Sequence, residues 1–238
     1  MLIARTFYRI ASRTGSRRTM FRDRKEAGKK LAQALGSYRG TDAVILALPR
    51  GGVVLGHEVA NALSLPLDII AVRKIGHPFS PEYALGAVDE TGATILSESE
   101  AKVVDQSWLK EETTRQREEA VRRSAVYRAG RIPTTIVGKT AIIVDDGIAT
   151  GLTMQLAVRS AKLQNAAKIV VAVPVAPPES SQLLKDEGAD DTVVLESPER
   201  FAGAVGAHYA VFDQVEDDEI IQLLGDESHL RKTGSAEH

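Results

Sequence analysis

Short apolar runs alternate with segments of helical periodicity through most of this 238-residue chain. The runs are rich in Val, Ile, Leu and Ala and lack polar alternation, which is typical of buried parallel strands. They cover residues 43–48, 67–72, 141–144, 169–175 and 192–195, and apolar spacing predicts helices near residues 52–63, 151–164 and 178–187. This order predicts an α/β fold, an open, mainly parallel sheet with helices on both faces.

Two segments interrupt the alternation. Residues 99–131 are dense in Lys, Arg and Glu and predict a charged helical insertion. A charge run of this kind is usually a solvated helix face, and we weigh that interpretation above a lid over a substrate. Residues 84–88 and 93–96 predict a hairpin around a turn at residues 89–92.

The two ends of the chain differ in composition from its middle. Residues 1–19 contain several Arg, Ser and Thr and no acidic residue, as a transit peptide or an upstream extension would. We favour a flexible extension before a domain at residues 20–227, followed by a polar tail at residues 228–238.

Composition narrows the class of protein. The chain is 43% hydrophobic but only 5% aromatic, which suits an aliphatic α/β core. Its formal net charge of −2 does not indicate nucleic-acid binding, and no apolar run approaches the roughly 18 residues of a membrane span. The absence of Cys is compatible with a reducing compartment. We therefore expect a cytoplasmic protein that binds neither membranes nor nucleic acids.

The segment from residue 141 to residue 154 carries the clearest chemistry. An apolar strand runs into Asp145 and Asp146, then into a turn with Gly147 and Gly151, and then into a helix. Ligands of open α/β sheets bind at the carboxyl ends of strands, where glycine turns and helix N-termini present N–H groups to anions. The carboxylates are placed to accept hydrogen bonds from vicinal sugar hydroxyls. The order therefore predicts a site for ribose 5-phosphate.

A second turn of this kind follows the first predicted strand. Residues 49–52 are Pro-Arg-Gly-Gly, whose glycines permit close backbone approach and whose Arg50 supplies charge to a diphosphate. Alone, such a turn is most often a plain strand-to-helix connection. After the second predicted strand, Arg73 and Lys74 enter a loop that also contains glycine and proline.

Residues 141–154 resemble the phosphoribosyl pyrophosphate (PRPP) motif of type I phosphoribosyltransferases. That motif is an apolar strand, two acidic residues, two mostly apolar positions and a small-Thr-Gly-x-Thr turn, and every position matches. The opening at residues 21–28 also looks like an uncharacterised bacterial branch of that family. The resemblance implies that Asp145 and Asp146 hold the ribose hydroxyls. It implies 5-phosphate contacts at Gly147, Ile148, Ala149, Thr150, Gly151, Leu152 and Thr153.

The resemblance also assigns the leaving group. Its pyrophosphate loop corresponds to residues 49–52, and its flexible closing segment begins at residues 73–78. Lys74 is the first choice for a contact to the leaving diphosphate, so the predicted catalytic residues are Asp145, Asp146 and Lys74. The predicted pyrophosphate contacts are Arg50, Gly51, Gly52, Arg73 and Lys74.

The implied activity is transfer of the phosphoribosyl group of PRPP to a nitrogenous, nucleobase-like acceptor, with release of pyrophosphate. Mg²⁺ is the implied cofactor, bound mainly by substrate oxygens and through water by Asp145. A hood segment at residues 197–209 contains Phe201 and Tyr209, which are either acceptor contacts or core residues. The resemblance is compatible with a homodimer. The alternative is a PRPP-binding sensor or regulator without turnover.

Other enzyme classes fit the sequence less well. Gly138-Lys139-Thr140 resembles the end of a P-loop, but the glycine required five residues earlier is Pro133, and the motif precedes a strand. The chain has no Gly-x-Ser-x-Gly elbow of a serine hydrolase.

Overall fold

The computed structural model describes residues 21–198, 201 and 203–226. The strands are β1 (Val44–Ala47), β2 (Leu67–Ile69), β3 (Val72–His77), β4 (Ser80–Asp89), β5 (Thr94–Leu96), β6 (Thr140–Val144), β7 (Lys168–Val175) and β8 (Asp191–Glu196). The α-helices are α1 (Arg24–Ala34), α2 (Gly51–Leu63), α3 (Glu98–Ala101), α4 (Gln106–Arg128), α5 (Leu152–Leu163), α6 (Ser180–Glu187) and α7 (Asp217–Gly225).

A parallel sheet with strand order β2-β1-β6-β7-β8 forms the centre of the fold. On β1, Ile45 packs in a core with Leu31 of α1 and Leu55 of α2, whereas Leu46 packs in a second core with Val158 of α5. Both faces of the strand are therefore apolar, which explains why its sequence shows no alternation. The predicted parallel sheet with helices on both faces is confirmed.

The predicted strand at residues 67–72 is wrong in its second half. β2 ends at Ile69, and β3 begins at Val72 in a separate antiparallel sheet of order β3-β4-β5. The intervening Ile70 and Ala71 are buried where the chain crosses between the sheets, so the apolar run continues although the strand does not. Residues 73–78, which we expected as a loop, lie mostly in β3.

The predicted turn between the hairpin strands is confirmed, although β4 starts earlier than expected. Asp89 is fully buried, and its Oδ1 accepts hydrogen bonds from the backbone N–H groups of Thr91, Gly92 and Ala93, each at 2.9 Å. An aspartate that binds the backbone two to four residues ahead fixes a tight turn.

The charged insertion forms α4, and residues such as Lys110, Glu111 and Arg117 are exposed, as expected of a solvated helix face. The helix also has a packed face, which the sequence does not predict. One face of α4 packs on the three-stranded sheet, burying Leu109 beside Ile75. Further along, Tyr127 is buried, and Arg128 Nε donates to Asp68 Oδ1 of β2 at 2.9 Å. The sequence does not reveal this face, because it includes the largely buried Arg128, a charged residue that pairs with Asp68 and Glu90 across the interface.

Residues 1–19 and 228–238 lie outside the described residues, so the predicted extension and tail stay predictions. The described part begins with an N-cap, in which Asp23 Oδ1 accepts the N–H of Glu26 at 2.7 Å and Glu26 Oε2 accepts the N–H of Arg22 at 2.6 Å. Of the helices in the described residues, none is both long and apolar enough to cross a membrane.

Candidate active site

Two loops meet at the carboxyl edge of the parallel sheet. The arginine–glycine loop (residues 49–52) follows β1, the acidic loop (residues 145–153) follows β6, and these strands are hydrogen-bonded neighbours. Leu48 N–H donates to Val144 O at 2.9 Å, which holds the start of one loop against the other strand. The predicted pyrophosphate and ribose segments are therefore adjacent in space.

Glycines make this close approach possible. A Cβ on Gly51 would overlap Asp146 Oδ2 and lie 2.7 Å from its Cγ. A Cβ on Gly52 would lie 2.7 Å from Val144 O and 3.0 Å from Asp145 Cα. Because neither position has room for a side chain, the Gly-Gly pair is a requirement of the contact between the loops.

The acidic pair is largely withdrawn from water. Burial raises the pKa of Asp145 well above its usual value, and the neighbouring charge of Asp146 raises it further. Burial also raises the pKa of Asp146, although the charge of Arg24 opposes that shift. Two adjacent carboxylates in such a place favour a ligand that brings hydroxyl donors or a cation to them.

Arg24, in the first turn of α1, is the site residue that sequence reasoning missed. Its Nε donates to Asp146 Oδ2 at 2.8 Å, and the two side chains are only 12% and 15% exposed. Its Nη1 donates to Asp213 O at 2.6 Å, and its guanidinium lies 3.7 Å from the ring centroid of Phe212. In the sequence, Arg24 appears only as the last residue of the Phe-Arg-Asp-Arg opening. Nothing in its position along the chain connects it with the acidic pair, which lies 122 positions away.

Tyr209 lies beneath the site rather than in an open acceptor pocket. It is 4% exposed, its hydroxyl donates to Asp146 O at 2.6 Å, and its ring contacts Phe21 and Phe212 at centroid distances of 5.5 and 5.0 Å. Burial raises the pKa of the Tyr209 hydroxyl, and the charge of Asp146 adds to the shift. Of the two interpretations given for Tyr209, this geometry favours the core.

Phe201, the other predicted acceptor contact, is partly exposed. Its ring stacks on that of His208, with centroids 5.1 Å apart and planes 24° from parallel. A ring already stacked on one face still offers its other face to a planar ligand. An acceptor contact at Phe201 stays a prediction.

The first part of the acidic loop is fixed by packing. A Cβ on Gly147 would lie 2.6 Å from Val205 of the hood segment and 2.9 Å from Val175. Ile148 is buried, and its N–H donates to Val175 O at 2.9 Å. The N–H of Ile148 is therefore used within the fold, and Ile148 anchors the loop instead of binding the phosphate through that group.

The rest of the acidic loop is open to a ligand. Ala149 and Thr150 are exposed, and Gly151, with φ of +83°, caps α5. Among the described residues, the N–H groups of Ala149, Thr150 and Gly151 have no intramolecular acceptor. Leu152 and Thr153 lie in the first turn of α5, so the helix provides no carbonyl acceptor for their N–H groups, which add to the cluster. This N–H cluster suits an anion.

The predicted pyrophosphate residues do not all point to one place. Arg50 follows a cis peptide bond, and its Nη1 lies 3.7 Å from Asp217 Oδ1 of α7. Arg73 lies on the face of β3 that α4 covers, where its Nε donates to Gln116 Oε1 at 3.2 Å. Lys74, the next residue of the strand, lines a cavity between β3 and α4 together with Arg73. Side-chain movement is therefore needed before all three contact one diphosphate.

Among the residues that the structure describes, Asp145 and Asp146 are the two carboxylates that meet at the acidic loop. In the described part of the chain, no group of three or more His, Cys, Asp or Glu side chains could hold a metal ion. This donor set fits Mg²⁺ that keeps waters and takes most of its oxygens from the substrate.

Comparison with known proteins gives the family. Residues 22–210 match the family model of the phosphoribosyl transferase domain. The chain is 41% identical over 212 residues to the Mycobacterium tuberculosis protein named "Putative phosphoribosyl transferase Rv0571c" and to its counterpart MT0597, covering 88% of this chain and 47% of theirs. The chain thus spans about half the length of the curated relatives it matches.

A solved structure extends the likeness to the fold. The crystal structure of TT1426 from Thermus thermophilus is 43% identical, with a TM-score of 0.72, over 86% of this chain and 97% of that one. The family match covers both loops and the acidic pair. The chain therefore belongs to the phosphoribosyl transferase domain family.

Proposed function

We propose that this protein is a phosphoribosyltransferase of the pentosyltransferase class, which moves the 5-phosphoribosyl group of PRPP to a nitrogenous, nucleobase-like acceptor. The observation that carries the proposal is the contact of the two loops, in which Gly51 and Gly52 pack directly on Asp146 and Asp145. A phosphate cradle, two carboxylates and an arginine loop thus adjoin at one edge of the sheet.

The reaction breaks the bond from C1 of the ribose to the diphosphate oxygen and forms a bond from C1 to an acceptor nitrogen, which loses its proton. Positive charge grows on the sugar ring and negative charge on the diphosphate, so the chain needs no nucleophile of its own. Asp145 and Asp146 accept hydrogen bonds from the ribose hydroxyls and orient the ring. The free N–H groups of residues 149–153 hold the 5-phosphate.

The leaving diphosphate needs compensating positive charge. Arg50 and Lys74 supply it, and bound Mg²⁺, reached through water by Asp145, would add further charge at the diphosphate oxygens. We place the functional unit at residues 20–227 and its role in nucleotide metabolism in the cytoplasm, with PRPP and the acceptor as its small-molecule partners and a homodimer as the proposed assembly.

PRPP with Mg²⁺ is expected to stabilise the protein, because a ligand that binds only the native state shifts the unfolding equilibrium by mass action. At 100 times the dissociation constant, the shift is about 2.7 kcal/mol. Thermal melts with millimolar PRPP and Mg²⁺ measure it, with sulfate at equal ionic strength as the control. Melting curves that superimpose would contradict the proposed site.

A screen of nitrogenous acceptors for PRPP-dependent release of pyrophosphate tests the activity itself. An acceptor that supports turnover confirms the transferase. Tight PRPP binding without turnover across a broad panel would instead favour the sensor.

Arg50→Ala is expected to weaken the binding of pyrophosphate far more than that of ribose 5-phosphate. Loss of one charge-assisted hydrogen bond costs about 1.5–3 kcal/mol, which is about 10- to 150-fold in affinity. Isothermal titration with each half-ligand separates the two effects. Arg22→Ala, which removes an exposed arginine that pairs with Asp23, is the matched control. Equal losses for both half-ligands would show that the diphosphate lies elsewhere.

A further inference from the structure

Residues 212–217 follow the hood, lead into α7 and contact two arginines of the candidate site. Near the start of this segment, Arg24 makes the carbonyl and ring contacts described above. At its end, Asp217 Oδ1 lies 3.7 Å from Arg50 Nη1, which is within salt-bridge distance but longer than a hydrogen bond. The Arg50 and Asp217 side chains are 33% and 47% exposed. Arg50 therefore faces a carboxylate of the protein, although the proposed function needs it at a diphosphate.

Asp217 has stabilising contacts that do not depend on Arg50. Its Oδ1 accepts a hydrogen bond from the hydroxyl of Tyr127 at 2.8 Å, and Tyr127 is fully buried on α4. Asp217 is also the first residue of α7, where backbone N–H groups without helical acceptors and the helix dipole favour a negative charge. The carboxylate of Asp217 therefore keeps a hydrogen-bond donor and a favourable field when Arg50 moves away.

Asp217 and a bound diphosphate compete for the same cation. If Arg50 kept its contact with Asp217 while it bound a diphosphate, two anions would lie close to one guanidinium, and their mutual repulsion would offset part of the attraction. A partly exposed ion pair contributes little to stability, so a multiply charged diphosphate is able to displace Asp217. The ion pair therefore holds Arg50 only until the ligand arrives, and it lowers the affinity for that ligand.

We propose that Asp217 is a positioning residue that holds Arg50 in the unliganded protein and releases it to the leaving diphosphate, while Tyr127 keeps the carboxylate of Asp217 in place. The inference rests on the proposed function, because it takes Arg50 as a contact of the diphosphate. It adds a regulating residue from α7, outside both loops of the site. Asp217 acts through Arg50 and does not contact the substrate itself.

Asp217→Asn is expected to tighten pyrophosphate binding about two- to fivefold, the range of a partly exposed ion pair, and to leave ribose 5-phosphate binding unchanged. Asparagine keeps an acceptor for the Tyr127 hydroxyl but lacks the charge that holds Arg50. Asp218→Asn is the matched control, because Asp218 is exposed in the same first turn of α7 and the variant loses the same charge. It is expected to change neither affinity. Isothermal titration at constant ionic strength measures both half-ligands.

Tyr127→Phe is expected to have the opposite effect on pyrophosphate binding. Without the hydroxyl, the carboxylate of Asp217 depends more strongly on Arg50, so the affinity for pyrophosphate falls by a similar factor. Adding Asp217→Asn to Tyr127→Phe is expected to remove this loss, because no charge is then left to hold Arg50. A merely structural role would weaken binding in both single variants, so the opposite signs distinguish positioning from packing.

The combination with Arg50→Ala separates competition for Arg50 from a general effect of charge. A gain in Asp217→Asn that disappears when Arg50 is replaced supports the proposal. Unchanged or weaker pyrophosphate binding in Asp217→Asn overturns it, as does a gain that persists without Arg50 or that Asp218→Asn matches, or a Tyr127→Phe protein with undiminished affinity. If Arg50→Ala alone does not preferentially weaken pyrophosphate binding, the diphosphate contact at Arg50 is wrong and this inference fails with it. Failure of Asp217→Asn beside the expected effect of Arg50→Ala overturns the positioning role alone.

Discussion

Replacing Asp145 by asparagine is expected to raise the stability of the unliganded protein at neutral pH and, at the same time, to weaken PRPP binding. The raised pKa of Asp145 means that folding disfavours its ionised form, through burial and then through the charge of Asp146. A neutral amide removes that penalty. The same change removes one charged acceptor of the ribose hydroxyls, which costs about 10- to 150-fold in affinity.

The pH dependence of stability distinguishes this explanation from a general packing effect. Because the pKa of Asp145 is higher in the folded state, this group binds a proton more tightly in the native protein than in the unfolded chain. Its contribution to the free energy of unfolding therefore falls as pH rises. The stabilising contribution of Asp145 is complete below its unfolded-state pKa of about 3.9, and it is lost as pH rises through its folded-state pKa. The stability difference between Asp145→Asn and the wild type is therefore expected to grow from about pH 4 towards neutral pH.

Denaturant unfolding over this pH range and PRPP titration provide the two measurements. Asp186→Asn, at an exposed aspartate of α6, is the matched control and is expected to change neither quantity. Other carboxylates oppose the trend, since hydrogen bonds from Arg122 and Arg123 lower the pKa of Glu119 to about 2. The difference between variant and wild type cancels their contribution. A variant that is less stable than the wild type at neutral pH would contradict the interpretation.

The central sheet could be predicted because its signals are local. Buried strands such as β6 and β7 are continuous apolar runs, and a turn such as residues 89–92 is set by one aspartate that binds its own backbone. The site motif could be predicted for the same reason, since its carboxylates, glycines and threonines follow one another along residues 145–153. Family membership, which rests on that motif, is confirmed.

The rest of the site depends on contacts between distant segments. Arg24 and Asp146 are 122 positions apart, and Gln116 lies 43 positions from Arg73. No periodicity encodes such pairs, so the sequence reveals neither the role of Arg24 nor the packed face of α4. The predicted end of β2 is wrong for a different reason. Ile70 and Ala71 are buried outside a strand, and buried residues are apolar whether or not they belong to a strand.

Arg24→Met is expected to cost about 3 kcal/mol of stability and most of the PRPP affinity. Arg24 and Asp146 form a largely buried pair, and removal of one partner of such a pair leaves an uncompensated charge, at a cost of about 3–5 kcal/mol. The remaining exposure of 12–15% places this pair at the lower end. Loss of Arg24 also removes its contacts with the carbonyl of Asp213 and the ring of Phe212, in the segment that follows the hood.

A double-mutant cycle separates the charge effect from lost packing. If the penalty comes mainly from the unpaired carboxylate, Arg24→Met with Asp146→Asn is expected to be more stable than Arg24→Met alone, although it binds PRPP no better. Arg22→Met is the control, because the Arg22 side chain is 73% exposed and its loss is expected to leave the free energy of unfolding nearly unchanged. Chemical denaturation of the four proteins measures the coupling. If the double variant loses as much stability as the two single variants added together, Arg24 acts by packing alone, and the assignment of Arg24 as the counter-ion of Asp146 is wrong.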